Sequence, residues 1–121
     1  MKYSIVIPCF NEEGTIKLIL ERTKNLFMDN NIELILVNNG STDNSKRILT
    51  ELIVNYPHAQ YIDLEKNVGY GGGILKGLSI CKGEIIGWTH ADLQTDPLDC
   101  VKAFKEYENI STEKNLSLIH I

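Results

Sequence analysis

The stretch Ile32-Glu33-Leu34-Ile35-Leu36-Val37-Asn38-Asn39-Gly40-Ser41-Thr42-Asp43 decides the fold. Residues 32–37 form a nearly continuous apolar run that only Glu33 interrupts. Strict alternation would mark a strand with one wet face, whereas a continuous run marks a strand covered on both faces, as in a parallel sheet. The amides, glycine, hydroxyls and carboxylate that follow are residues that turn a chain and start helices. A buried strand running straight into a helix start is the opening of a βαβ unit.

The pattern repeats on either side. Tyr3 to Pro8 is a β-branched run closed by proline, which cannot donate to a sheet ladder. Apolar residues at helical spacing predict a helix over Asn11 to Met28. Another is predicted over Asp43 to Asn55, stopped by Pro57. Ala59 to Leu64 reads as a third strand, and Asn67 to Gly73 as a glycine-rich loop. Ile74 to Cys81 reads as a short helix ended by Gly83, Glu84 to Trp88 as a fourth strand, and Pro97 to Tyr107 as helix. Strands alternating with helices predict a three-layer, Rossmann-like α/β fold on a mostly parallel sheet. The domain is expected over residues 1–110. Residues 111–121 form a tail, read as a truncated or non-native continuation or as a cut-off fifth strand.

Bulk properties narrow the function. A chain of 121 residues suffices for one self-supporting core. A net charge of -4 provides no basic footprint, so nucleic acid is not expected as a partner. A phosphate-bearing small molecule remains open, because backbone N–H groups and a metal can supply positive field locally. Three cysteines, Cys9, Cys81 and Cys100, without a C-x-x-C pair or a signal-peptide core, predict reduced thiols and a cytoplasmic chain. No run approaches the roughly 20 apolar residues of a membrane helix.

Ligands of open α/β sheets bind beyond the carboxyl ends of the strands. Four loops are expected to converge there: Cys9 to Glu13, Asn38 to Asp43, Asn67 to Gly73, and His90 to Asp96. In the last, His90, Asp92, Gln94 and Asp96 alternate. If the segment is extended, one side collects an imidazole, two carboxylates and an amide oxygen. Hard divalent ions take oxygen ligands, and Mg²⁺ commonly pairs one or two carboxylates with substrate phosphates. Asp92 reads as a metal ligand, and Asp96 as the cap of the helix begun by Pro97. The glycine-rich loop is either a phosphate cradle or a tight turn with close helix packing. It is neither a dinucleotide fingerprint nor a P-loop. Asn38 and Asn39 suit a base or ribose, or plain turn chemistry. Phe10 suits a stacked base or the core, Glu12 a ligand contact or a favourable place at a helix start. Trp88 reads as core.

Together, Ser4-Ile5-Val6-Ile7-Pro8-Cys9-Phe10-Asn11-Glu12, Val37-Asn38-Asn39-Gly40-Ser41-Thr42-Asp43, Asn67-Val68-Gly69-Tyr70-Gly71-Gly72 and His90-Ala91-Asp92-Leu93-Gln94 resemble family 2 glycosyltransferases of the GT-A fold, in the branch similar to dolichyl-phosphate mannose synthase. The resemblance covers about residues 3–108 and implies the N-terminal part of that fold. It implies a nucleoside-diphosphate sugar donor, UDP- or GDP-linked, and transfer to an acceptor, polyprenyl phosphate among the candidates. The nucleotide would be held by Pro8, Phe10, Glu12, Val37, Asn39, Gly71 and Ala91. Mg²⁺ or Mn²⁺ would be held by Asp92 and Gln94, with His90 at the position of the family's first metal-motif Asp. Two departures stand out. Asn38-Asn39 replaces the usual Asp-Asp, and His90 replaces an aspartate, although imidazole suits softer ions than Mg²⁺. No general base for an acceptor hydroxyl is identifiable. Relatives of this kind are longer, so a membrane surface would be reached only through a further C-terminal part. The alternative is a nucleotide-binding module or inactive fragment without the acceptor half.

Overall fold

A computed structural model of the chain describes residues 3–92, 95–110 and 118–121. Five strands form one sheet: β1 (Tyr3–Cys9), β2 (Ile32–Asn39), β3 (Ala59–Leu64), β4 (Ile85–Trp88) and β5 (Leu118–His120). Their spatial order is β3-β2-β1-β4-β5, and every pairing is parallel. The expected α/β architecture on a parallel sheet is therefore present. Part of the tail, residues 118–120, continues the sheet beside β4.

The apolar run of β2 explains its place. All eight of its residues are buried, with β1 on one side and β3 on the other. Side chains alternate between two faces. Leu34 and Leu36 of β2 join Ile5 and Ile7 of β1 in one core. That core is closed by Ile16, Leu20 and Phe27 of α1 (Glu13–Asp29), Leu49 of α2 (Ser45–Leu52), and Val101 and Phe104 of α4 (Pro97–Ile110). Ile35 and Val37 join Val6 on the opposite face, where α3 (Gly69–Leu78) packs on β1 and β2. Three layers result: one helix, the sheet and three helices.

Glu33, the polar interruption, is buried at the amino end of the sheet. Its carboxylate accepts hydrogen bonds from the Ser4 hydroxyl, the Lys82 N–H and the Gln60 amide. It is a structural brace remote from the strand carboxyl ends.

Two expectations about elements change. The helix predicted over Asp43 to Asn55 is α2 followed by a 3-10 turn over Ile53–Asn55. More consequentially, Gly69 to Gly73 is helix rather than loop, since α3 begins at Gly69 and ends at Leu78. Glycine disfavours helix by about 1 kcal/mol per residue, so packing must offset the loss. A Cβ at Gly77 would lie 2.4 Å from Val6 Cγ1, and one at Gly73 3.0 Å from Asn39 Nδ2. The glycines let α3 lie against the sheet more closely than side chains would permit.

Candidate functional site

A cleft of about 250 Å³ opens at the carboxyl ends of β1, β2 and β4. Pro8, Cys9, Phe10 and Glu12 line it from the first loop and Asn39 from the second. Asn67 and Tyr70 line it from the third, and His90, Ala91 and Asp92 from the fourth. The four loops converge because the strands they follow are parallel neighbours, which brings their carboxyl ends to one edge of the sheet.

Each expected site residue among those described has a definite place. Phe10 is 44% exposed, so it belongs to the cleft and not to the core. Glu12 stands at the N-cap position of α1 and makes no side-chain cap bond. The Thr15 hydroxyl lies 3.2 Å from Glu12 Oε2 and 3.1 Å from the Ala91 carbonyl, tying the start of α1 to the fourth loop. Asn39 is buried and lines the cleft, yet its amide is engaged: Oδ1 accepts from the Val68 N–H at 3.0 Å and Nδ2 donates to the Gly69 carbonyl at 2.9 Å. Asn38 points to the other face and donates to Asp63 Oδ1 at 2.9 Å. Val37 is fully buried, its side chain close under Gly77, and does not reach the cleft lining among the described residues. Gly71 lies exposed in the first turn of α3, outside the described lining; its neighbour Tyr70 lines the cleft instead.

The phosphate-cradle reading of the glycine segment loses two of its donors. The Val68 N–H is used by Asn39, and the Gly69 N–H by Asn67 Oδ1 at 2.7 Å. Close packing accounts for Gly73 and Gly77 directly.

The alternating row His90, Asp92, Gln94, Asp96 does not form as one extended face. The chain bends at Ala91 and Asp92, and Gln94 lies outside the described residues. Asp96 is a helix cap, its Oδ1 accepting the Leu98 N–H at 2.9 Å while Pro97 occupies the first helical position. His90 is exposed and stacks on Tyr70, with ring centroids 4.5 Å apart and planes at 17°. Burial and the negative charge of Asp92 both push the Tyr70 hydroxyl up from its ordinary value. Among the described residues no three His, Cys, Asp or Glu side chains gather as a metal cage. Glu12 and Asp92 are carboxylates lining the cleft, and hard divalent ions take one or two such oxygens together with a ligand's phosphates.

Sequence reasoning did not single out Tyr70, Asn67 or Cys9 as lining residues. Tyr70 was the most accessible to it, as an aromatic within a glycine-rich segment that follows a strand. Burial, with Glu12 adding to it, pushes the Cys9 thiol up to about 12, so this cysteine is a protonated wall and not a nucleophile.

Residues 4–112 match the Glycosyl transferase family 2 profile. The chain is 38% identical over 112 residues to an uncharacterized glycosyltransferase, YkcC, of Bacillus subtilis, a match covering 88% of this chain and 34% of the relative. It is 37% identical over 99 residues to the undecaprenyl-phosphate 4-deoxy-4-formamido-L-arabinose transferase of Proteus mirabilis, covering 79% of this chain and 30% of that protein. The chain thus spans about a third of the length of these curated relatives. The mannosyltransferase PcManGT of Pyrobaculum calidifontis, solved with GDP-Man and Mn²⁺, superposes with a TM-score of 0.71 at 20% identity, covering 88% of this chain and 32% of that one. That likeness identifies the fold as GT-A. No helix among the described residues is long and apolar enough to cross a membrane. With four loops meeting in one cleft and the profile covering nearly its whole length, the chain belongs to glycosyl transferase family 2.

Proposed function

We propose that this chain holds the donor of a glycosyltransferase that moves a sugar from a UDP- or GDP-linked nucleoside diphosphate to an acceptor, with polyprenyl phosphate as the acceptor class. The observation that carries the reading is the cleft where Phe10, Glu12, Asn39, Tyr70 and Asp92 meet at the strand carboxyl ends. Phe10 and Tyr70 present exposed rings of the size a nucleobase stacks upon. Pro8, Glu12 and Ala91 form the walls, and Asp92 lies where a diphosphate would leave the base.

Asp92 would hold Mg²⁺ or Mn²⁺ together with the donor's phosphates, with Gln94 and His90 as further candidates. Such an ion offsets the charge that develops on the departing nucleoside diphosphate. A phosphate acceptor is already ionised and would need no protein base. The acceptor class draws support from the undecaprenyl-phosphate transferase relative, and the metal and guanine nucleotide from the PcManGT complex. The proposed cytoplasmic setting draws support from three free thiols, Cys9, Cys81 and Cys100.

Calorimetric titration with UDP and with GDP, each with and without Mn²⁺, tests the proposal. One nucleotide is expected to bind, more tightly with Mn²⁺, and Asp92→Ala is expected to remove the metal's contribution. The proposal fails if neither nucleotide binds, or if Asp92→Ala leaves the metal dependence unchanged.

A further inference from the structure

Asn11 does not line the cleft, yet it makes the densest set of contacts between two of its loops. Its backbone has φ +54°, a left-handed conformation that asparagine tolerates better than most residues. In that conformation its N–H donates to Ser41 Oγ at 3.0 Å. Its Oδ1 accepts from the Thr42 N–H at 2.8 Å and lies 3.3 Å from both the Asp43 N–H and the Thr42 hydroxyl. One residue on, Asp43 Oδ2 accepts the Glu13 N–H at 3.3 Å. The first loop is thus stitched to the second from both sides of Glu12, and Asn11 is the residue between Phe10 and Glu12, two of the residues by which this loop lines the cleft.

The second loop is fixed in turn. Gly40 has φ +69°, and a Cβ there would lie 2.3 Å from the Asn67 backbone nitrogen. The second loop therefore sits directly on the third. Asn39 bonds across the same junction. The second loop is the fixed reference, and the first loop is held to it through Asn11.

We infer that Asn11 is a positioning residue of the donor site, setting Phe10 and Glu12 against the Asn39 wall without touching the ligand. The inference rests on the reading of the cleft as a nucleoside-diphosphate site. A binding constellation works only when its side chains are pre-set, and displacements near 1 Å are costly.

Two substitutions separate backbone from brace. Asn11→Gly keeps the left-handed conformation and removes the acceptor. Asn11→Asp keeps both but adds a charge near Asp43, so all three proteins are compared at about 1 M salt, where the Debye length falls to about 3 Å. Amide exchange in the ligand-free chain is expected to show the Thr42 N–H about tenfold less protected in Asn11→Gly than in the wild type, with Asn11→Asp close to wild type. Calorimetry with UDP, GDP and Mn²⁺ is expected to show binding about tenfold weaker in Asn11→Gly and restored to within about twofold in Asn11→Asp. The inference is overturned if the Thr42 amide exchanges equally in wild type and Asn11→Gly, if Asn11→Gly binds as tightly as wild type, or if Asn11→Asp binds as weakly as Asn11→Gly. Failure of the wild type to bind either nucleotide overturns the donor-site reading and the positioning role with it. The exchange comparison still reports whether the brace exists, so the two failures are told apart.

Discussion

Replacing Gly77 with alanine tests how α3 sets the width of the cleft. The new Cβ would sit 2.4 Å from Val6 Cγ1 and 3.0 Å from Val37 Cγ2. The first distance is roughly 1.3 Å short of an ordinary carbon contact. Val6 cannot easily yield, because it is fully buried in β1 and its χ1 is restricted by branching. Overpacking of this kind costs about 1–3 kcal/mol, while alanine's better helix propensity returns about 0.5–1 kcal/mol. The net expectation is a loss of about 1–2 kcal/mol, or about 5–10 °C in Tm for a chain this size. Urea and thermal unfolding measure it. The diagnostic measurement is the double variant with Val6→Ala, which removes the opposing methyl groups. If the mechanism is steric, Val6→Ala costs at least about 1 kcal/mol less in the Gly77→Ala background than alone. A Gly77→Ala protein as stable as the parent would refute the close-packing argument, and so would strict additivity with Val6→Ala. Because Tyr70 and Asn67 approach the cleft from the start of α3, nucleotide affinity should fall with stability.

Three other outcomes follow from separate features. Gly40→Ala combines a strained positive φ with backbone overlap at Asn67 and should cost about 2–4 kcal/mol, whereas Gly71→Ala, with open space around it, should stabilise by up to about 1 kcal/mol; equal melting temperatures for the two would sink the distinction. Asp96→Ala should lower stability by about 1 kcal/mol through the lost cap and leave Mn²⁺-dependent nucleotide binding intact, and weakened metal binding would instead make Asp96 a ligand. His58 is buried with Nε2 2.7 Å from Thr23 Oγ1, and its Nδ1 has no hydrogen-bond partner among the described residues. Burial, with the charge of Lys24 acting the same way, pushes it down to about 4, whereas an unfolded histidine titrates near 6.5. Its contribution is therefore full above pH 6.5 and lost as pH falls towards 4, a decline of about 3 kcal/mol that His58→Gln should abolish in denaturant titrations across that range.

The alternation of elements was legible because β2 and β1 carry nearly continuous apolar runs, interrupted only by Glu33 and Ser4, and each is followed by turn chemistry. The ends of strands were less so. Asn38 and Asn39 look like turn residues but remain in the ladder opposite Cys9, Asp63 and Leu64. The glycine segment misled for a physical reason: intrinsic propensity speaks against helix, and the contacts that reverse it come from Pro8, Val6 and Asn39, 34 or more residues away. A clue was nevertheless present, since Gly69, Gly73 and Gly77 recur every four residues, the spacing of one helix face. Of the expected site residues, Pro8, Phe10, Glu12, Asn39, His90, Ala91 and Asp92 share the cleft. That Asn39 spends its amide on Val68 and Gly69 was not readable, because the partners are 29 and 30 residues downstream.

The engaged amide of Asn39 separates two kinds of residue at this site. Those that fix its shape, Asn39 and Gly40 and, on our inference, Asn11, have their polar groups committed to other loops or leave no room for a side chain. Those that face an arriving molecule, Phe10, Tyr70 and His90, protrude from an already rigid frame. Ligand preference can then be altered at the second group without disturbing folding. On the proposed donor reading, a designer seeking a different base or sugar would have three adjustable surfaces mounted on a scaffold that should be left alone.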